Sequence, residues 1–215
     1  MDLSAYIATQ MDHLLPDGYT PPQLDAAVGC AKKKVQTLLD LVCLDKGVYK
    51  TFHHLNTLNY PIFLYFLAQA LAEQGDEVGA TKIFYLNKIL NGIDLYYKIN
   101  LGFPFLLGHV IGSVFCRADY GNNQVFYQNV LIGVNDNKRP YLGDGLIVFP
   151  GAKIIGNVKI GENVVISAGV TIIDKEIPSN VIVFSGEKGG LVFKDLDERY
   201  CDRYFIKASR NIPHG

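Results

Sequence analysis

The chain has 215 residues, with 20 Lys and Arg against 21 Asp and Glu and a formal net charge of −1. That length holds one large domain or two small ones, and so balanced a charge lacks the basic footprint that a nucleic-acid partner requires. Four cysteines, Cys30, Cys43, Cys116 and Cys201, stand without CxxC or Cys/His ligand spacing, which argues against a zinc site and a disulfide framework and leaves free thiols that mostly pack.

The N-terminal stretch MDLSAYIATQMDHLL has no basic region followed by an apolar core, so no signal peptide is expected and the chain is placed in the cytoplasm. After the proline-rich Tyr19-Thr20-Pro21-Pro22, a helix is expected from about Gln23 to Leu44, stopping at Asp45-Lys46-Gly47. Within it, Lys32-Lys33-Lys34 reads as a solvated helix face rather than a binding patch. A second helix is expected over Pro61 to Gln74, with proline in the first turn and Gly75 just past the end. Ile62 to Ala72 is densely apolar, but Gln69 interrupts it and Glu73 and Gln74 close it short of a membrane span, so it reads as a buried helix. A third helix covers about Asp76 to Leu90 and stops at Asn91-Gly92.

From Ile93 the texture changes to short apolar runs separated by glycines. Leu142, Val148, Ile154, Ile160, Ile166 and Ile172 stand at strict six-residue spacing, and the first five each have a second apolar residue four places later (Leu146, Ala152, Val158, Val164, Val170). This period fits neither an amphipathic helix nor an alternating strand. It matches the hexapeptide repeat, in which three short strands close one triangular coil of a solenoid, the aliphatic residue points inward, and glycine or a small residue takes the corner. After Pro178 the repeats fade, and Leu196 to Lys207 is expected to close the open end of the prism as a short helix. The expected architecture is α+β: an α-helical domain over residues 1–95, a parallel β-helix over 96–190 and a C-terminal cap or tail over 191–215.

Over roughly residues 60 to 186 the chain resembles the serine O-acetyltransferase family of hexapeptide acyltransferases. The resemblance is carried by Gln74-Gly75, Gly92-Ile93-Asp94, Leu107-Gly108-His109, Tyr127-Gln128-Asn129-Val130 and Arg139-Pro140-Tyr141-Leu142-Gly143-Asp144-Gly145, and by the more widely shared Pro150-Gly151-Ala152-Lys153-Ile154-Ile155-Gly156-Asn157. It implies a left-handed β-helix, a homotrimer that can pair into a dimer of trimers, and acetyl-CoA as co-substrate, beside the expectation from the residues themselves of no metal and no membrane span. His109 falls where the family carries its catalytic base and Asp94 where it carries the base's carboxylate partner. The chemistry agrees, because moving an acetyl group from a thioester to an alcohol needs a base for the hydroxyl proton, and a carboxylate on the other ring nitrogen fixes the imidazole tautomer. His13, His53, His54 and His214 lie outside the expected solenoid. By position, Lys138 and Arg139 would meet the acceptor, and Gly133, Pro150, Gly151, Ala168 and Gly169 would line the CoA groove.

The departures from the family bear on the acceptor. Gly108 stands where the resemblance implies an aspartate that holds the amino group of serine, and Lys138-Arg139 stands for an arginine-histidine pair, keeping positive charge in a different geometry. The loop Gly133-Val134-Asn135-Asp136-Asn137 is shorter than the family's glycine-rich loop, Phe184-Ser185-Gly186-Glu187 replaces the closing Gly-x-Pro-Ala motif, and the N-terminal assembly region is abbreviated. The implied activity is acetyl transfer from acetyl-CoA to a hydroxyl of L-serine or a related small or sugar acceptor. A non-catalytic oligomeric scaffold and an N-acetyltransferase acting on an amino sugar nucleotide stay open beside it.

Overall fold

A computed structural model describes residues 2–44, 50–211 and 213. The chain divides into two compact units, one of Met1–Asp40 and Asp45–Lys98, the other of Leu41–Leu44 and Ile99–Gly215.

The first unit is helical: α1 (Leu3–Leu14), α2 (Leu24–Asp40), α3 (Tyr60–Glu73) and α4 (Glu77–Asn91), followed by the short strand β1 (Asp94–Leu95). α3 is the buried helix expected from its composition. Tyr60 to Ala68, Ala70 and Leu71 are all buried, and α2 and α4 both pack on it. Between α3 and α4 the chain turns at Gly75, and Asp76 caps α4 by accepting from Gly79 N at 2.7 Å. α4 ends where Gly92, at φ 62°, donates to Lys88 O. α1 was not foreseen; its buried residues Ser4, Ile7 and Met11 have helical spacing, but the segment carries no strong start or stop signal.

α2 ends earlier than the expected Leu44. Beyond Asp40 the backbone pairs instead with the far end of the chain: Val42 bridges Phe205, Cys43 N donates to Tyr204 O at 2.9 Å, and Ile206 N to Leu41 O at 2.9 Å. The expected stop at Asp45-Lys46-Gly47 lies outside the described residues. Lys32 and Lys33 are exposed as a solvated face predicts, and Lys34 pairs with Glu73.

The second unit is a parallel β-solenoid. Its strands are β2 (Phe105–Leu107), β3 (Val114–Phe115), β4 (Asp119–Tyr120), β5 (Gln124–Phe126), β6 (Leu131–Gly133), β7 (Tyr141–Leu142), β8 (Ile147–Val148), β9 (Lys153–Ile155), β10 (Lys159–Ile160), β11 (Val164–Ile166), β12 (Thr171–Ile173), β13 (Glu176–Ile177), β14 (Val181–Ser185) and β15 (Leu191–Asp195). Every third strand stacks, so β2-β5-β8-β11-β14, β3-β6-β9-β12 and β4-β7-β10-β13 form three faces, and β15 adds antiparallel to β14. All six residues of the hexapeptide period are fully buried. They fall in inward ladders, such as Tyr120, Leu142, Ile160 and Ile177 on one face and Phe115, Ile132, Ile154 and Ile172 on another.

At one corner glycines stack coil on coil because the backbones pass too closely for a side chain. A Cβ added to Gly143 would lie 2.5 Å from Gly161 O, an atom that cannot swing aside. Gly143→Ala is therefore expected to destabilise the fold by about 1–3 kcal/mol, read as a lowered melting temperature.

The C-terminal segment differs from the short helix expected over Leu196 to Lys207. It forms two 3-10 turns, Tyr200–Arg203 and Lys207–Asn211, and runs back along the side of the coils. Leu196 N donates to Asn180 O, Asn163 binds Glu198 O and Tyr200 N through its amide, and Ser209 Oγ bonds Asn123 Oδ1, each partner lying in an earlier coil than the last. An antiparallel strand and this strap satisfy the backbone that a helix would have satisfied internally. Of the cysteines expected mostly to pack, only Cys201 is buried; Cys30 and Cys43 are exposed and Cys116 is half-buried.

Candidate active site

The corner between the β2 face and the β3 face recurs in four coils. In the last three it is built from residues 127–130, 149–152 and 167–170, but in the first from 108–113, two residues longer. Gly112, Asn129, Gly151 and Gly169 take the left-handed position of this corner, with φ of 77°, 56°, 73° and 72°. The extra length carries His109, itself left-handed at φ 53° and exposed, with its carbonyl accepting from Ile111 N at 2.8 Å. Histidine tolerates this region better than most side chains, and a residue held there is often functional. The expansion pushes an imidazole out of the wall on the corner that, beyond Gln128 and Asn129 of the next coil, carries a line of small residues.

Pro150, Gly151, Ala168 and Gly169 form that line on the same corner. Gly151 N donates to Gln128 O and Gly169 N to Pro150 O, so successive coils sit directly over one another. At about 4.8 Å per coil, His109 and Gly169 lie roughly 14 Å apart along the edge. Ala168 and Gly169 are exposed, and nothing lies within 4 Å of a Cβ built on Gly169, so an elongated ligand meets an open track there.

Gly108, before His109, is buried against an aromatic column. A Cβ there would stand 3.0 Å from Tyr127 Cδ1 and 3.1 Å from Cε1. The Tyr127 ring stacks on Phe149, centroids 5.3 Å apart and planes 4° apart, and its hydroxyl lies 3.1 Å from that of Tyr204 in the C-terminal strap. Burial, then the hydrogen bond with Tyr127, pushes the Tyr204 phenol above its ordinary range. Neither Phe149 nor Tyr204 was singled out from the sequence. The available signal was register: Tyr127 and Phe149 each directly follow an inward residue, Phe126 and Val148, of paired strands.

Gly133, Lys138 and Arg139 lie elsewhere on the solenoid. Gly133 ends β6 opposite Ile155, and Asn135 and Lys138 exchange both backbone hydrogen bonds around Asp136 and Asn137, whose positive φ makes a tight primed turn. Lys138 and Arg139 are exposed at the corner between the β6 and β7 faces, and Arg139 pairs with Asp119 at 2.9 Å. One copy of the chain thus does not bring these cations to the corner of His109. Asp94 belongs to the helical unit, where its Oδ2 accepts from Lys88 Nζ at 2.6 Å.

His13 bonds Thr9 O in α1, and His53 and His54 stack on each other, all in the helical unit; His214 lies outside the described residues. His109 is the one described histidine of the solenoid. Among the described residues no group of three or more His, Cys, Asp or Glu is placed to hold a metal, and no helix is long and apolar enough to cross a membrane.

Residues 139–174 match the bacterial transferase hexapeptide (six repeats) family. A serine acetyltransferase from Staphylococcus aureus is 28% identical over 165 residues, covering 74% of this chain and 71% of its own length. The crystal structure of a serine acetyltransferase from Brucella abortus superposes with a TM-score of 0.62 at 20% identity, covering 91% of this chain and 77% of that one. A serine acetyltransferase solved in complex with CoA gives 0.59 at 18% identity, covering 87% and 75%. These likenesses establish four N-terminal helices followed by a left-handed parallel β-helix.

Proposed function

We propose that this serine acetyltransferase-like hexapeptide-repeat protein is an acetyl-CoA-dependent O-acetyltransferase that acylates a hydroxyl of L-serine or of a related small or sugar acceptor. The observation that carries the reading is His109, extruded on its lengthened left-handed corner at the head of the small-residue track. In the proposed reaction the neutral imidazole takes the acceptor's hydroxyl proton as that oxygen attacks the thioester carbonyl. A backbone N–H stabilises the tetrahedral oxyanion, the carbon–sulfur bond breaks, and the imidazolium returns the proton to the departing thiolate. By the resemblance, Asp94 is the residue expected to orient the imidazole and to stabilise its charged form. Pro150, Gly151, Ala168 and Gly169 would hold the CoA arm along the corner, with Gly133 contributing a wall.

Because Lys138 and Arg139 sit on a different corner from His109, the reading requires them to come from a neighbouring copy. It therefore includes a homotrimer with sites between subunits, and a location in the cytoplasm, where acetyl-CoA is available and the free thiols stay reduced. The test is acetyl-CoA consumption across a panel of L-serine, homoserine, sugar acids and nucleotide sugars, with the oligomeric mass measured by light scattering. Turnover of at least one hydroxyl acceptor by a trimer is expected. CoA binding without turnover of any acceptor would favour the scaffold instead.

A further inference from the structure

The residue before His109 is Gly108, and the packing around it is tight. Position 108 has no side chain, and the Tyr127 ring fills the space a side chain would occupy, within 3.0 Å of where its Cβ would begin. The ring has little freedom to yield. Phe149 stacks behind it, and Tyr204 on the strap holds its hydroxyl. The strap is itself anchored by Tyr200 N on Asn163 and Ser209 on Asn123.

The packing also determines what this ring offers a ligand. An aromatic face attracts cations and its edge repels them, because the ring quadrupole places negative charge on the faces and positive charge at the hydrogens. Here Phe149 stacks on one face and a side chain at position 108 would run into the ring, so a half-buried Tyr127 has its edge as the part left for a ligand. Gly108, Tyr127, Phe149 and Tyr204 offer an ammonium group no carboxylate and no open π face, whereas a hydroxyl or carboxylate oxygen meets positively polarised ring hydrogens.

Resting on the acetyltransferase reading above, we infer that Tyr127 is the acceptor-specificity residue of this chain: clamped between Gly108 and Phe149, it selects a small anionic hydroxy acid without an ammonium group over an amino acid.

L-Serine and L-glycerate test this, since they differ only in carrying an ammonium or a hydroxyl on the middle carbon. The wild-type protein is expected to show the higher kcat/KM for L-glycerate. The double variant Gly108→Asp with Tyr127→Leu, which supplies a carboxylate and removes the ring that obstructs it, should move the kcat/KM ratio toward L-serine by at least about tenfold, the scale of one charged hydrogen bond. Gly108→Asp alone should move it less and lower the melting temperature, because the clamped ring must shift. A merely structural role for Tyr127 would change both acceptors together and leave the ratio where it was. CoA binding and the melting curve of each variant identify any that fails to fold, and Gly108→Asp with Phe149→Ala, which frees the ring to retreat, then serves as the second test with the same expected direction. A wild-type preference for L-serine, or an equal shift from the single and double variants, would overturn the inference while leaving the acetyltransferase reading standing. Binding of CoA with turnover of neither acceptor would overturn the inference, and an added failure of every acceptor in the wider panel would overturn that reading too.

Discussion

Ile160→Asp should yield no folded protein. Ile160 is fully buried in β10, between Leu142 of β7 and Ile177 of β13 on the same inward ladder. The substitution removes an aliphatic side chain that both neighbours pack on and places an unpaired carboxylate in the prism interior, where no charged partner waits. The combined cost exceeds about 4–5 kcal/mol, a large fraction of the total stability of an ordinary domain. Each coil of a solenoid rests only on its neighbours, so failure of the β7-β10-β13 ladder removes support for the coils on both sides. Loss of the β-sheet circular-dichroism signal and of soluble expression reads the effect. Lys159→Ala and Glu162→Ala, both on exposed positions one and two residues away, should stay within about 0.5 kcal/mol of wild type. A folded, cooperative Ile160→Asp protein would contradict the inward register.

Replacing His109 should lower acetyl transfer by about two to four orders of magnitude while CoA binding persists, because general-base catalysis supplies that much and the residues proposed to hold CoA lie on later coils. The backbone dictates which replacement gives the cleaner result. At φ 53° an alanine adds a left-handed penalty of about 1–2 kcal/mol, whereas asparagine accepts this conformation readily. His109→Asn should therefore lose the activity and keep the melting temperature, while His109→Ala loses the activity and some stability. Asp94→Asn should cost less than either, since the imidazole remains and only its orientation and charge stabilisation suffer. Rapid turnover by His109→Asn would exclude this residue as the base.

Much of the solenoid was legible because its constraint repeats. An interior closed by three faces demands an aliphatic residue at each inward position, and all six from Leu142 to Ile172 are buried as that demand requires. α3 and α4 were legible within a residue at each end, since Pro61, Gly75 and Gly92 act through local backbone geometry. The end of α2 was not, because Val42 and Phe205 pair across most of the chain, and no local signal records that pairing.

The same division runs through the candidate site. Sequence by itself determined the residue types: a histidine in an early coil, small residues along later corners, and a glycine where the resemblance implies a carboxylate. Only the tertiary structure decided that His109 rides on a corner two residues longer than those above it, that Lys138 and Arg139 face another corner, and that Tyr127 fills the space beside Gly108 under the hold of Phe149 and Tyr204. The physical reason is that inward positions answer to a period that neighbouring residues enforce. The outer wall answers instead to which residues stack one coil apart and to where the C-terminal strap returns, and both are settled by contacts between segments far apart in the chain.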